Sequence, residues 1–198
     1  MRRLYVYRAI ALLSLLALVG CSNQKTDNIS ESIDLAYKIT QPSNKGELKI
    51  IYQKPLDDKK LVLASKYPGD GHTLTNLFII GSDKSVEKMA GGVLGPLSQC
   101  FNVNVIEYYN RTVVFGTFNA SKWDPDTDTK KPVDIQNIVV KFKNGEIVKE
   151  KVGNGYIVFS TQESAPENIE LYNDKGQLQS ELNDIGEANY TEFLDLAK

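Results

Sequence analysis

The sequence predicts an all-β protein, folded as an antiparallel β-sandwich or a partly open barrel. From residue 47 onward the chain consists mostly of short stretches in which apolar and polar residues alternate. Clusters of Pro, Gly, Asn and Asp interrupt these stretches about every 8–12 residues, a spacing typical of sandwiches and barrels. No helical pattern alternates with the predicted strands, so a parallel α/β sheet is not expected.

The first group of predicted strands begins at Leu48, where apolar residues alternate as far as Tyr52. A turn is expected at 55–60, and further strands at 61–67, 74–80 and 86–89. A glycine-rich loop at 90–99 then separates this group from the rest of the chain. We expect this loop to join two parts of one core, because a first group of about 45 residues would be marginally stable alone. Two small β subdomains are the alternative.

The clearest hairpin signal is Asn144-Gly145, which follows a predicted strand at 138–143 and precedes another at 146–152. Asn-Gly favours a two-residue type I′ turn, because both turn positions require a positive φ. This turn would place Lys143 opposite Glu146 and Phe142 opposite Ile147.

A further strand is expected at 156–159, and a last hairpin has strands at 169–172 and at Leu178 around a turn at 173–176. Strand, hairpin, Gly-Tyr strand and Asp-x-Gly turn follow one another in residues 112–182. In this order they resemble the Ig-like β-sandwich modules of bacterial envelope proteins. The resemblance implies an Ig-like sandwich for this part of the chain.

The N-terminus has the pattern of an export signal. Arg2, Arg3 and Arg8 precede an apolar run at 9–19 that only Ser14 interrupts. A basic segment followed by a short apolar one is typical of a secretory signal peptide. The run is shorter than the roughly 20 apolar residues that a membrane-spanning helix requires.

The end of this run, Leu18-Val19-Gly20-Cys21, resembles the lipobox of bacterial lipoproteins. The resemblance implies cleavage between Gly20 and Cys21 and a diacylglyceryl group on the Cys21 thiol. Two acyl chains anchor a protein stably, whereas one binds a membrane only marginally. The expected location is therefore the extracytoplasmic face of the cell membrane. The alternative is an ordinary cleaved signal that happens to end near a cysteine.

The sequence divides into four predicted segments. Residues 1–20 form the signal peptide, 21–46 a polar, lipidated and flexible tether, 47–182 the β-rich domain and 183–198 a C-terminal tail. Within the tether, Ile29, Ile33, Ala36 and Tyr37 have helical spacing, so a short helix is the alternative there. As a whole the chain resembles uncharacterised lipoproteins of bacilli, a resemblance that implies no biochemical activity.

The charge argues against nucleic acid as a partner. The whole chain has a formal net charge of −2, and residues 1–20 carry three of its 23 basic residues and none of its 25 acidic ones. The remaining body therefore has a net charge of −5, without the basic stripe expected of a nucleic-acid-binding protein. With Cys21 acylated, Cys100 has no partner for a disulfide, and it is expected to be buried.

His72 is the only histidine, so metal sites that need two histidines are excluded. It lies in the loop Pro68-Gly69-Asp70-Gly71-His72, where Asp70 is placed to orient it as a general base. A hydrolase using His72 and Asp70 is one alternative, although no Gly-x-Ser-x-Gly motif supplies a nucleophile. A solvent-exposed turn histidine is the simpler interpretation.

The second candidate site is the acidic loop that Trp123 opens, with Asp124, Asp126 and Asp128 at alternate positions. This spacing resembles the start of a calcium loop, but Thr129 replaces its glycine and Ile135 its bidentate glutamate. Trp123 is also suited to stacking on a sugar ring. The simpler alternatives are a solvated turn and a tryptophan that covers the end of the core.

These observations predict a non-catalytic lipoprotein that binds an envelope protein or a cell-wall glycan outside the membrane. No cofactor and no metal are expected for that role. The alternatives are the hydrolase and a calcium- or glycan-binding module at the Trp123 loop.

Overall fold

The computed structural model describes residues 24–40, 48–66, 74–93 and 99–196. Within them, one α-helix accompanies several antiparallel sheets that do not close into a barrel, so the predicted all-β sandwich class is confirmed. The three larger sheets and the helix stack in layers, in the order helix, first sheet, second sheet and third sheet. In these described residues no helix has the length and apolar character needed to cross a membrane.

The first sheet has the strand order β1-β2-β3-β4-β15. Its strands are β1 (Lys49–Leu56), β2 (Lys59–Lys66), β3 (Leu74–Ile80), β4 (Val86–Val93) and β15 (Leu194–Asp195). The predicted strand at 74–80 is confirmed at both ends. The turn predicted at 55–60 is shorter, because β1 continues to Leu56 and only Asp57 and Asp58 form the turn. Pro55 is compatible with β1 because β1 is an edge strand.

The loop predicted at 90–99 is wrong for its first four residues, which continue β4 as far as Val93. Two consecutive glycines suggested a loop, but Gly92 lies within the strand. Glycine is needed at this position because a side chain there would collide with Asn104. A Cβ on Gly92 would lie 2.1 Å from Asn104 Oδ1. Residues 94–98 lie outside the described part of the chain.

The second sheet is the middle layer and has the order β11-β6-β5-β14. Its strands are β5 (Asn104–Tyr108), β6 (Arg111–Thr117), β11 (Gly155–Phe159) and β14 (Asn189–Tyr190). Side chains alternate between its two faces, and both faces are buried. Val113, Phe115 and Ile157 pack against the first sheet, whereas Val114 and Val158 pack against the third. Because both faces are buried, β6 contains the uninterrupted apolar run 113–116.

The third sheet has the order β10-β9-β12-β13. Its strands are β9 (Asn137–Phe142), β10 (Ile147–Lys151), β12 (Pro166–Tyr172) and β13 (Leu178–Glu181). The hairpin at 169–178 is confirmed, and Gly176 ends its turn at φ +74°. One face of this sheet buries Ile138, Val140 and Ile169 against the second sheet.

The two-residue turn predicted at Asn144-Gly145 is wrong. Phe142 N–H donates to Glu146 O at 2.8 Å, so the loop has three residues, and only Gly145 adopts a positive φ, +87°. This is the type I turn followed by a left-handed glycine that three-residue hairpins favour. The register shifts accordingly, pairing Ile147 with Lys141 and Val148 with Val140. Val148 therefore packs against the buried core, while Ile147 is 55% exposed.

Residues 183–198 do not form a free tail over their described part. Asn189–Tyr190 add to the second sheet in parallel with β5, and Leu194–Asp195 add to the first sheet in antiparallel pairing with β4. The segment therefore crosses between two layers and contributes a strand to each. Two-residue strands give too short a pattern for detection from sequence.

The solvated tether predicted at 21–46 is wrong for residues 24–40, which form helix α1 (Gln24–Thr40). The helical alternative is confirmed, since Ile33, Ala36 and Tyr37 are buried and Ile29 is partly buried. They pack on the outer face of the first sheet against Val62, Ala64, Phe78, Ile80 and Met89. The polar composition of this segment reflects the solvent-facing side of α1, on which Leu35 is 61% exposed.

Candidate functional site

The structure places the predicted site residues in different regions. Gly20, Cys21, Asp70 and His72 lie outside the described residues, so the lipidation site and the hydrolase alternative remain predictions. Trp123 and Asp124 line a cavity of about 440 Å³, here called the Trp123 cleft. Its lining residues are Gln99, Cys100, Lys122, Trp123, Asp124, Pro125, Lys131, Ser180, Asp184 and Ile185.

A separate two-stranded hairpin positions Trp123. It is formed by β7 (Ser121–Asp124) and β8 (Thr129–Pro132), with Trp123 paired to Lys130. Trp123 is 41% exposed, so part of its indole surface is open to solvent. The interpretation of Trp123 as a cover for the core is therefore the weaker one.

Asp124 has a buried carboxylate held by local contacts. It forms an ion pair with Lys131, accepts a hydrogen bond from Thr127 Oγ1 at 2.6 Å and accepts another from Asp126 N–H at 3.3 Å. The hydrogen bonds from Lys131 and Thr127 lower the pKa of Asp124 below its usual value. Asp124 is thus an anion at neutral pH, and its ion pair holds Lys131 at the lining of the cleft.

The structure does not gather the three aspartates of the predicted calcium loop into one cluster. Asp124 faces the cleft, whereas Asp126 and Asp128 are exposed in the hairpin turn, where Asp128 has a φ of +52°. Over the described ranges, no three His, Cys, Asp or Glu side chains lie close enough together to hold a metal ion. The alternating spacing is that of a polar turn.

The opposite wall of the cleft is built by Asp184, which follows β13 in a short 3-10 helix (Leu182–Asp184). Ser180 Oγ donates to Asp184 Oδ2 at 2.6 Å, and the Glu181 N–H donates to the same oxygen at 3.2 Å. Burial opposes ionisation of Asp184, but these hydrogen bonds and nearby Lys122 outweigh it, so its pKa is lowered. Lys122 Nζ lies 3.6 Å from Asp184 Oδ2 and donates to Gln179 O at 2.7 Å.

Cys100 also lines the cleft, and its side chain is buried at 2% exposure. The expected burial of Cys100 is confirmed, and among the described residues Cys100 is a free cysteine. Burial raises the pKa of the thiol above its ordinary value. A protonated, buried thiol is a poor nucleophile at neutral pH, so Cys100 contributes packing here.

Sequence reasoning identified one wall of this cleft and missed the other. Ser180 and Asp184 form the missed wall, and Lys122 of β7, which was also missed, joins the two walls by its contact with Asp184. No local motif signals such a contact, because topology alone brings those two segments together. The resulting surface combines one partly exposed aromatic residue with two lysines and two aspartates whose charges balance. Such a surface is suited to stacking and hydrogen bonding with an uncharged ligand.

Comparisons of this chain with protein-family models, with curated proteins and with solved structures return no match.

Proposed function

We propose that this protein is a non-catalytic binding module, anchored by lipid at Cys21 to the extracytoplasmic face of the cell membrane, that binds a cell-wall glycan in the Trp123 cleft. The observation that carries the ligand assignment is that Trp123, which is 41% exposed, lines the same cavity as the Lys131–Asp124 pair. The anchor rests on the lipobox-like sequence that ends at Cys21.

The chemistry of the cleft favours a sugar. The apolar face of a sugar ring stacks on an aromatic side chain, while its hydroxyl and acetamido groups need hydrogen-bond partners at the edge. The lining of the cleft includes both kinds of group, Trp123 and the charged side chains of Lys122, Lys131, Asp124 and Asp184. Because each lysine already faces a carboxylate, the cleft has no net charge with which to attract a polyanion.

The layered fold is compatible with this placement. Only Ser22 and Asn23 separate Cys21 from the first residue of α1, so the proposed lipid joins the domain on its helical side. Residues of the Trp123 cleft come from the β7–β8 hairpin and from β13 of the third sheet, at the other end of the stack of layers. The proposed anchor and the proposed ligand site are therefore on different layers.

Calorimetric titration with chitotetraose tests the glycan site. Tryptophan anchors at binding sites typically contribute about 2 kcal/mol or more, so Trp123→Ala should weaken binding about 30-fold. Tyr109→Ala is the matched control, because Tyr109 is an 81% exposed aromatic residue that does not line the cleft. Equal affinity of the Trp123→Ala variant and the wild type for chitotetraose would contradict the proposed glycan site.

Metabolic labelling with a radioactive fatty acid tests the anchor. The wild-type chain should incorporate label, and Cys21→Ser should not. Cys100→Ser is the matched control, because it removes the other cysteine of the chain and should leave labelling unchanged. Label in the Cys21→Ser variant would show that the lipobox interpretation is wrong.

A further inference from the structure

A second cavity, of about 500 Å³, lies at the outer edge of the first sheet and shares no lining residue with the Trp123 cleft. It is called the edge cavity here. Asn76 of β3 and Gly91 and Gly92 of β4 line it on the sheet side, and Thr191, Glu192 and Leu194 line it on the side of the C-terminal segment. Tyr37 of α1 and Met89 of β4 add an aromatic and an apolar surface.

Asn76 is the unusual residue of this cavity. Its side chain is only 4% exposed, and within the described part of the chain its Nδ2 atom has no hydrogen-bond partner. It occupies the helix-facing row of β3, in which the following positions are the apolar Phe78 and Ile80. An unsatisfied buried amide destabilises a fold, and an apolar residue of similar size would avoid that cost. Asn76 therefore offers a donor that folding does not use.

Gly91 gives the edge cavity access to Asn76. It is the register partner of Asn76 on β4, and a Cβ at Gly91 would lie in ordinary contact, 3.6 Å from Asn76 Oδ1. Its φ is not positive, so neither backbone conformation nor close packing requires glycine there. The effect of glycine at this position is that residue 91 itself places no side chain beside the Asn76 amide.

In the described residues, the edge of β4 that faces away from β3 is paired over a short length only. β15 pairs only with Met89 and Lys88 and then ends. Across the described ranges, Ala90–Val93 have a strand partner on one side only, which is β3. A sheet edge with unpaired backbone groups is a template for an added strand.

We propose that the edge cavity binds an extended peptide as an added strand alongside Ala90–Val93, with an Asn or Gln side chain placed opposite Gly91. The carbonyl oxygen of that side chain accepts the hydrogen bond from Asn76 Nδ2. Its NH2 group is suited to donate to the carboxylate of Glu192, which would repel an Asp or Glu at the same position. Side chains on the same face of the peptide meet the apolar surface of Met89 and Leu194. This proposal is independent of the glycan site.

Selection of phage-displayed random heptapeptides on the immobilised wild-type domain tests the proposal. The expected result is a set of enriched extended sequences that share an Asn or Gln. Synthetic copies of these peptides should bind Asn76→Leu about tenfold more weakly, because one hydrogen bond is lost. The same peptides should bind the Trp123→Ala variant with wild-type affinity, which separates this site from the Trp123 cleft.

Two further measurements distinguish a loss of peptide binding from a loss of folding. Asn76→Leu should be at least as resistant to thermal unfolding as the wild type, because it removes an unsatisfied buried amide. If that variant fails to fold, peptide binding is measured with Gly91→Val instead. Valine is favourable in a strand, and its side chain would block access to Asn76. Absence of enriched peptides, or equal binding by the wild type and the variant that folds, would overturn the proposal.

Discussion

Helix α1 provides the sharpest test of the fold, because the same residues were expected to form a solvated tether. Ile33 is 1% exposed and packs on the outer face of the first sheet, whereas Leu35 on the same helix is 61% exposed. Ile33→Ala removes three buried carbon atoms, each contributing about 0.8 kcal/mol, and leaves a cavity that adds to the loss. We expect the free energy of unfolding to fall by about 2.5–4 kcal/mol.

Urea unfolding, followed by circular dichroism and by the fluorescence of the single tryptophan, measures this change. Leu35→Ala is the matched control and should change the free energy of unfolding by less than about 0.5 kcal/mol, because Leu35 is mainly in solvent. Hydrogen exchange of the α1 amides shows whether the helix detaches before the sheets unfold. Equal stability of the two variants and the wild type would refute the docked helix.

Three further predictions concern the turns and the Trp123 cleft. Gly145→Ala should destabilise the domain by about 1 kcal/mol, because Gly145 has a φ of +87°. Gly153→Ala is the control and should leave the stability unchanged. Thermal unfolding measures the stability of both variants. In the folded protein the pKa of Asp124 is below its usual value of 3.8. The ion pair between Asp124 and Lys131 should therefore stabilise the fold above about pH 4. This stabilisation should be lost as the pH falls through the pKa of Asp124 in the folded protein. Asp124→Asn should therefore be less stable than the wild type at pH 6, with a difference that narrows toward pH 2, and a constant difference would contradict the ion pair. In a Cys21→Ser background the buried Cys100 thiol should react with Ellman's reagent slowly in the native state and rapidly in urea, and rapid native reaction would contradict its burial.

The strands were predictable where local pattern and packing agree. β3 has the predicted bounds, because six of its seven side chains are buried and the flanking residues change composition abruptly. The hairpin at Asn144-Gly145 was found, but its register was not. Lys143 N–H donates to Ala165 O and Asn144 N–H to Ser164 Oγ, so a distant loop holds the turn in its three-residue form.

The stacking of the helix and the sheets was less predictable than the strands. The average composition of a segment does not show which of its residues share one face. The segment 24–40 is polar overall, yet the few apolar residues that share one face are sufficient to dock α1. The buried contacts of Ile33 with the first sheet depend on residues at 62–89, so no local signal reveals them. The same applies to the Trp123 cleft, in which the wall at Ser180 and Asp184 is brought to Trp123 by the order of the strands.

The most direct test of the proposed function is a fluorescence titration of the wild-type domain with chitotetraose. Trp123 is the only tryptophan of the chain, so the emission reports solely on this lining residue of the cleft. We predict a saturable blue shift of the emission, because a sugar ring stacked on the indole excludes water, and an affinity that matches the calorimetric value. Calorimetric binding of the glycan with unchanged Trp123 emission, or no binding by either method, would contradict the proposed glycan site.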